Sequence, residues 1–160
     1  MKKETKYISR DDAVSKLQAY CAYQERCHYE VRSKLISYKI YGDDLEEIIT
    51  ELINDNFLNE ERYARAYARG KFRMKKWGKN KITQELKRRK VSAYCIKKGL
   101  TEIDPEAYYD TAFKLIKKYF ESQAGIIPIK KQKTFAHAYR KGYESFIITE
   151  VLNDIIGTSR

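Results

Sequence analysis

The chain has 160 residues, enough for one domain or a short array of small repeats. Hydrophobic residues make up 42% and charged residues 34%, a balance that supplies a core and excludes wholesale disorder. The formal charge is +11, and its location matters more than its size. Between Arg62 and Lys98 lie 15 of the 33 basic residues and a single acid, Glu85, so that window carries +14 and the rest of the chain −3. Like charges so concentrated repel one another, and a polyanion relieves the strain. Nucleic acid is the first candidate, an anionic membrane surface the second and an acidic protein groove the third.

Taken in chain order, the helical period is pervasive. Ala13, Leu17, Tyr20 and Cys21 share one face of a first segment, Val31, Leu35 and Tyr38 one face of a second, and Ile48, Ile49, Leu52 and Ile53 one face of a third. Asp43-Asp44 and Glu46-Glu47 are read as helix-start acids rather than as metal ligands. Asn59-Glu60-Glu61 predicts another start, a capping residue followed by acids at the positive end of the helix dipole. On a helix from Asn59 to Lys75, Tyr63, Tyr67 and Met74 fall on one side with Ala64 and Ala68 flanking them. Arg62, Arg65, Arg69, Arg73 and Lys76 fall on the other side, left for solvent or a partner. In the next helix Ile82 and Leu86 face inward, while Lys81, Gln84 and Arg88 share an outer face. Asp104-Pro105-Glu106 starts a further helix, with Pro in the first turn. Gly42, Gly78 and Gly142 mark helix boundaries, Ala124–Ile129 reads as a connector, and no strand is predicted.

Internal repetition organises these segments. A shift of about 51 residues sets Val31, Leu35, Lys39 and Ile40 on Ile82, Leu86, Lys90 and Val91. A further shift of about 52 sets Leu86, Arg88, Arg89, Val91, Tyr94 and Ile96 on Ala138, Arg140, Lys141, Tyr143, Phe146 and Ile148. The expected fold is all-α: a tandem array of three three-helix repeats over residues 9–56, 57–103 and 104–157, elongated and curved. The aromatics from Tyr29 to Tyr41 and from Tyr108 to Phe120 are read as packing between repeats.

Little in the sequence points to catalysis. GxxxxGK[ST], GxSxG and HExxH are all missing from it. His28 and His137 fall in different repeats without a partner pattern, and Cys21, Cys27 and Cys95 lack the spacing of a zinc site or disulfide framework. No enzyme, cofactor or metal is expected. No apolar run approaches the roughly 18–20 residues of a membrane helix. The opening residues Met1-Lys2-Lys3-Glu4-Thr5-Lys6 show no apolar leader, so a cytoplasmic protein is expected.

The run Asn56-Phe57-Leu58-Asn59-Glu60-Glu61-Arg62-Tyr63-Ala64, followed by Lys76-Trp77-Gly78 and Ile82-Thr83-Gln84-Glu85-Leu86-Lys87-Arg88-Arg89-Lys90-Val91, resembles the centre of the RecX family of recombination regulators. Arg140-Lys141-Gly142-Tyr143, Phe146 and Val151-Leu152 extend the resemblance into the third repeat. Two departures touch turn geometry. Lys90 stands where the family usually has Gly, and the first repeat's Gly42 comes later than expected. The resemblance implies an all-helical, non-enzymatic regulator of tandem three-helix repeats whose partner is the RecA recombinase polymerised on single-stranded DNA, with a mainly inhibitory role; a monomer is expected. Non-specific double-stranded DNA is a further candidate partner.

The residues assigned to recombinase or DNA binding are Arg62, Arg65, Arg69, Arg73, Lys75, Lys76, Lys79, Lys81, Arg88 and Arg89. Arginine forks suit phosphate or carboxylate equally. Trp77 is a stacking candidate, although a Trp at a helix junction more often closes a core. The alternative function is a stand-alone helix-turn-helix regulator reading DNA with the basic helix Lys79–Lys90.

Overall fold

A computed structural model describes residues 7–158; residues 1–6, on which the expectation of no leader rests, lie outside them. Among the described residues the structure is helical throughout, without strands. The first repeat holds α1 (Arg10–Tyr23), α2 (His28–Ser37) and α3 (Gly42–Asn54). The second holds α4 (Glu60–Gly70), a π-helical turn (Lys71–Lys75), α5 (Lys79–Arg88) and α6 (Ala93–Leu100). The third holds α7 (Pro105–Ser122), α8 (Ile127–Arg140) and α9 (Ser145–Thr158).

Local chemistry sets several of the helix starts. Ser9, Asn59, Ser92 and Asp104 each accept a hydrogen bond from the backbone N–H three residues on, satisfying a donor that the helix itself leaves unpaired. Pro105 occupies the first turn of α7. The expected connector 124–129 is shorter than read. Helix α8 begins at Ile127, and Pro128 lies in its first turn, where the missing N–H is harmless.

The repetition is visible in one recurring turn. After α2, α5 and α8 the chain passes through a left-handed residue: Lys39 (φ 64°), Lys90 (φ 57°) and Gly142 (φ 99°). The following N–H then reaches back five residues, Ile40 to Leu35, Val91 to Leu86 and Tyr143 to Ala138, at 3.1, 3.1 and 3.2 Å. This is the helix-terminating geometry that glycine adopts most easily. The first two repeats close it with lysine, so the departures from the family pattern change the residue and keep the turn.

Apolar side chains form two clusters. Val14, Leu17, Val31, Leu35, Ile48, Leu52 and Leu58 make the core of the first repeat. A second cluster is shared by the other two repeats and includes Ala64, Phe72, Ile82, Leu86, Ile96, Ile116, Tyr143 and Leu152. Each fully buried Leu or Ile contributes about 1.5–3 kcal/mol. Cys27, from the first repeat, is buried in the second cluster. Small residues permit close crossings: a Cβ on Gly99 of α6 would come within 2.7 Å of the Ala64 carbonyl oxygen on α4.

Some expected buried residues are exposed. Ile53 lies on the open side of α3 and Tyr41 is largely solvent-facing, while Tyr29 is only half-exposed and faces Lys90 of the second repeat. Met74 is 82% exposed instead of joining Tyr63 and Tyr67. The wider π-turn advances fewer degrees per residue than an α-helix. That keeps Phe72 on the buried face and carries Met74 off it.

Candidate nucleic-acid and filament interface

Three of the stripe arginines are already engaged. Arg62 donates from Nε to Glu25 of the first repeat at 2.5 Å and from its terminal nitrogens to Asn56 and to the carbonyls of Asn56 and Phe57. Arg65 pairs with Glu102 at 3.1 Å and Glu61 at 3.6 Å, and Arg69 meets Glu102 at 3.4 Å. Arg65, then Arg69, holds the Glu102 carboxyl below its ordinary range. The expectation of a stripe free for solvent or a partner is therefore corrected at these positions. The reason is spatial: Glu61 and Glu102 flank the +14 window in sequence, and folding turns both of them onto it.

Downstream the pattern changes. Arg73, Lys75 and Lys76 are exposed on the π-turn and its end, with no carboxylate partner among the described residues. Lys76 is itself left-handed (φ 59°), and its carbonyl accepts a hydrogen bond from the Tyr143 hydroxyl at 2.7 Å. Trp77 is half-buried against the shared core, with the ammonium groups of Lys71 and Lys81 over its ring at 5.0 and 4.6 Å. Lys79 lies over the Tyr108 ring at 4.8 Å, and its N–H donates to the Tyr108 hydroxyl at 3.0 Å. Glu85 pairs with both Arg88 (3.3 Å) and Arg89 (3.2 Å). Arg89 also lies over Tyr67, while the Arg88 side chain stays 78% exposed.

The second and third repeats are joined at this surface by main-chain bonds. The Gly78 N–H donates to the Lys141 carbonyl at 2.8 Å, and the Asn80 N–H to the Gly142 carbonyl at 2.9 Å. A Cβ on Gly78 would overlap the Gly142 backbone, so the strands of chain meet at their closest approach. Tyr108 packs on Phe72 and Tyr143 and donates a short hydrogen bond to Glu144.

Sequence reasoning missed the cations of the third repeat. Lys114 and Lys118 on α7 and Lys141 at the end of α8 line a cleft with Lys76 and His137. Charge counted along a linear window stops at Lys98 and does not bring α7 and α8 to Lys76. The i, i+4 spacing of Lys114 and Lys118 was the available signal.

The residues that carry other chemistry are quiet. Burial pushes the Cys27 thiol up to about 11, and it donates to Glu30 at 3.3 Å. The described residues contain no cluster of His, Cys, Asp and Glu able to hold a metal, and no helix long and apolar enough to cross a membrane.

Residues 59–100 match the description "RecX, second three-helix domain" and residues 106–152 match "RecX, third three-helix domain". The chain is 28% identical over 145 residues to "Regulatory protein RecX" of Lactobacillus gasseri, covering 89% of this chain and 53% of that protein. It is 30% identical over 138 residues to the protein of the same name from Bacillus cytotoxicus, covering 86% and 51%. The chain thus spans about half the length of these curated relatives. In fold it is similar to the crystal structure of RecX from Lactobacillus salivarius, with a TM-score of 0.82 at 22% identity over 91% of this chain and 96% of that one. A second structure, of regulatory protein RecX, gives a TM-score of 0.80 at 24% identity over 89% and 72%. With its two matched three-helix domains, its recurring turn and its cationic middle repeat, the chain belongs to the RecX family.

Proposed function

We propose that this chain is a cytoplasmic, non-enzymatic regulator that docks on the RecA recombinase filament assembled on single-stranded DNA and mainly inhibits its ATPase and strand exchange. Binding energy supplies the effect: a docked state that excludes homologous duplex, or that holds neighbouring subunits against the motion of ATP turnover, needs no bond broken by this chain. The observation that carries the reading is the rim formed by Arg73, Lys75 and Lys76, exposed cations without internal carboxylates on a RecX-family scaffold. The remaining assigned residues divide by role. Arg62, Arg65 and Arg69 spend their charge on Glu25, Glu61 and Glu102, and Arg88 and Arg89 pair with Glu85, whereas Lys79 and Lys81 lie over the Tyr108 and Trp77 rings just after the rim.

The stand-alone helix-turn-helix reading finds less support. Its reading helix, α5, is tied at its N-terminus to the third repeat through Gly78 and Asn80, the end a major-groove reader needs free. The test is ATP hydrolysis by the cognate recombinase on single-stranded DNA. Equimolar protein is expected to lower the rate, and Arg73, Lys75 and Lys76 changed together to Gln to restore it. An unaltered rate with the unsubstituted protein rejects the function, and full inhibition by the folded triple variant rejects the rim.

A further inference from the structure

We propose that the cleft between α7 and α8, bordered by Lys76 of the second repeat, is a phosphodiester-binding site for a single nucleic-acid strand. The inference deepens the filament reading by naming where the chain touches DNA, and it moves that contact from the arginine stripe to the third repeat.

The cleft has a volume of about 610 Å³ and is lined by Lys76, Lys114, Lys118 and Lys141 together with Thr111 and His137. No carboxylate lines it, and none of the four lysines has an ion pair among the described residues. Four lysines lining one cleft without a counter-charge raise each other's energy, and a bound anion offsets that cost. The contrast with Arg62, Arg65 and Arg69, each satisfied by a glutamate, is what singles the cleft out. Its border is held in place, because the Lys76 carbonyl is fixed by the Tyr143 hydroxyl and the adjoining Gly78 by Lys141.

A strand fits better than a duplex or an isolated phosphate. The volume suits one or two nucleotides and not a double helix. A second cleft, of about 370 Å³, is lined by Asn80, Lys81, Lys87 and Arg140, again without a carboxylate. The two flank the C-terminal end of α8, Lys141 lining one and Arg140 with Gly142 the other. Cationic subsites repeated on one rigid junction match a polymer whose charge also repeats.

His137 supplies an internal reporter. Its ring stacks on Tyr119 at 3.9 Å, and its Nδ1 is buried without a hydrogen-bond partner. Burial, then Lys141 and Arg140, holds its pKa below the ordinary 6.5. A phosphate beside Lys141 would offset the charge that helps hold that pKa down and so raise it, and by linkage the strand binds more tightly as pH falls. The chain has only two histidines, and His28 lies on α2 of the first repeat, so it serves as a built-in control.

The experiment uses the full chain and fluorescently labelled oligothymidylate. With Lys114, Lys118 and Lys141 all changed to Gln, affinity is expected to fall at least about tenfold at low salt. The slope of log affinity against log salt should drop by about 2, since each single-strand phosphate contact contributes about 0.7. In NMR titrations of the unsubstituted protein, oligothymidylate is expected to raise the His137 midpoint and leave His28 unmoved. Unchanged affinity in the folded triple variant, or an unmoved His137 while the oligonucleotide binds, overturns the assignment. So does tighter binding of poly-glutamate than of oligothymidylate, which would give the cleft to an acidic protein. Because these measurements omit the recombinase, their failure leaves the filament reading standing. Absence of ATPase inhibition would remove that reading without touching the cleft.

Discussion

The first repeat and the pair formed by the second and third are built alike and attached differently. The first keeps its own apolar core and meets the second mainly through side chains: the buried Cys27, the Arg62–Glu25 pair, and Lys90 over the Tyr29 ring at 5.8 Å. The second and third share one core and two main-chain hydrogen bonds across a glycine–glycine contact. A side-chain junction can be screened, titrated or competed for by a partner's charges, whereas a main-chain junction fixes the position of whatever stands on it. The unpaired lysines stand on the fixed one.

The largest expected effect comes from attacking that fixed junction. Gly78→Ala pushes a methyl group into the Gly142 backbone and should cost about 3–5 kcal/mol, a fall in melting temperature of roughly 10 °C. Hydrogen exchange sharpens the test. Amides of Leu86 and Ile148 should lose protection while those of Leu17 and Leu52 keep theirs, and parallel loss in both regions would make the two junctions one cooperative unit.

Loosening the other junction should do less. Arg62→Ala removes bonds to Glu25, Asn56 and the Asn56 and Phe57 carbonyls, at a cost of about 1–2 kcal/mol. The ion pair itself is partly solvent-screened and supplies the smaller share. A double-mutant cycle with Glu25→Gln, read by chemical denaturation, measures that share. A coupling as large as the whole loss would show that charge rather than the carbonyl contacts holds the first repeat in place.

A gain is expected at the recurring turn. Lys90→Gly and Lys39→Gly relieve left-handed lysines that Gly142 has no need to relieve, and each should stabilise by about 0.5–1 kcal/mol, or roughly 2 °C. Equal gains from both would confirm that the turn is the same device in both regions. The smallest effect is in pH. The unfolded chain protonates His137 before the folded one does, so its contribution to stability is complete above 6.5 and declines as pH falls through the window below. His137→Gln should flatten the thermal stability profile there, and a slope unchanged by the substitution would place its origin elsewhere.

Much of the architecture was legible because it rests on local chemistry. Asn59 and Asp104 cap where their side-chain amide and carboxylate oxygens and the acids that follow say they should, and the 51–52-residue shift aligns Lys39, Lys90 and Gly142 at one turn. Glu85, the single acid of the basic window, pairs with its i+3 and i+4 neighbours Arg88 and Arg89, a spacing readable from the sequence. What hydropathy and charge counts could not supply is proximity between distant segments. Glu25 on Arg62, Glu102 on Arg65, and Lys114 lining one cleft with Lys76 all depend on segments meeting that lie 37 or 38 residues apart in sequence. The π-turn was equally hidden, since Lys71–Lys75 has the composition of an ordinary helix end.

That turn makes chain length the guarded property of this stretch. Removing one residue between Lys71 and Lys75 would let the segment close into regular α-helix and re-index everything after it, carrying Lys76 off the Tyr143 hydroxyl that anchors it. Substitutions that keep the count should be absorbed far more readily than a deletion that keeps every charge.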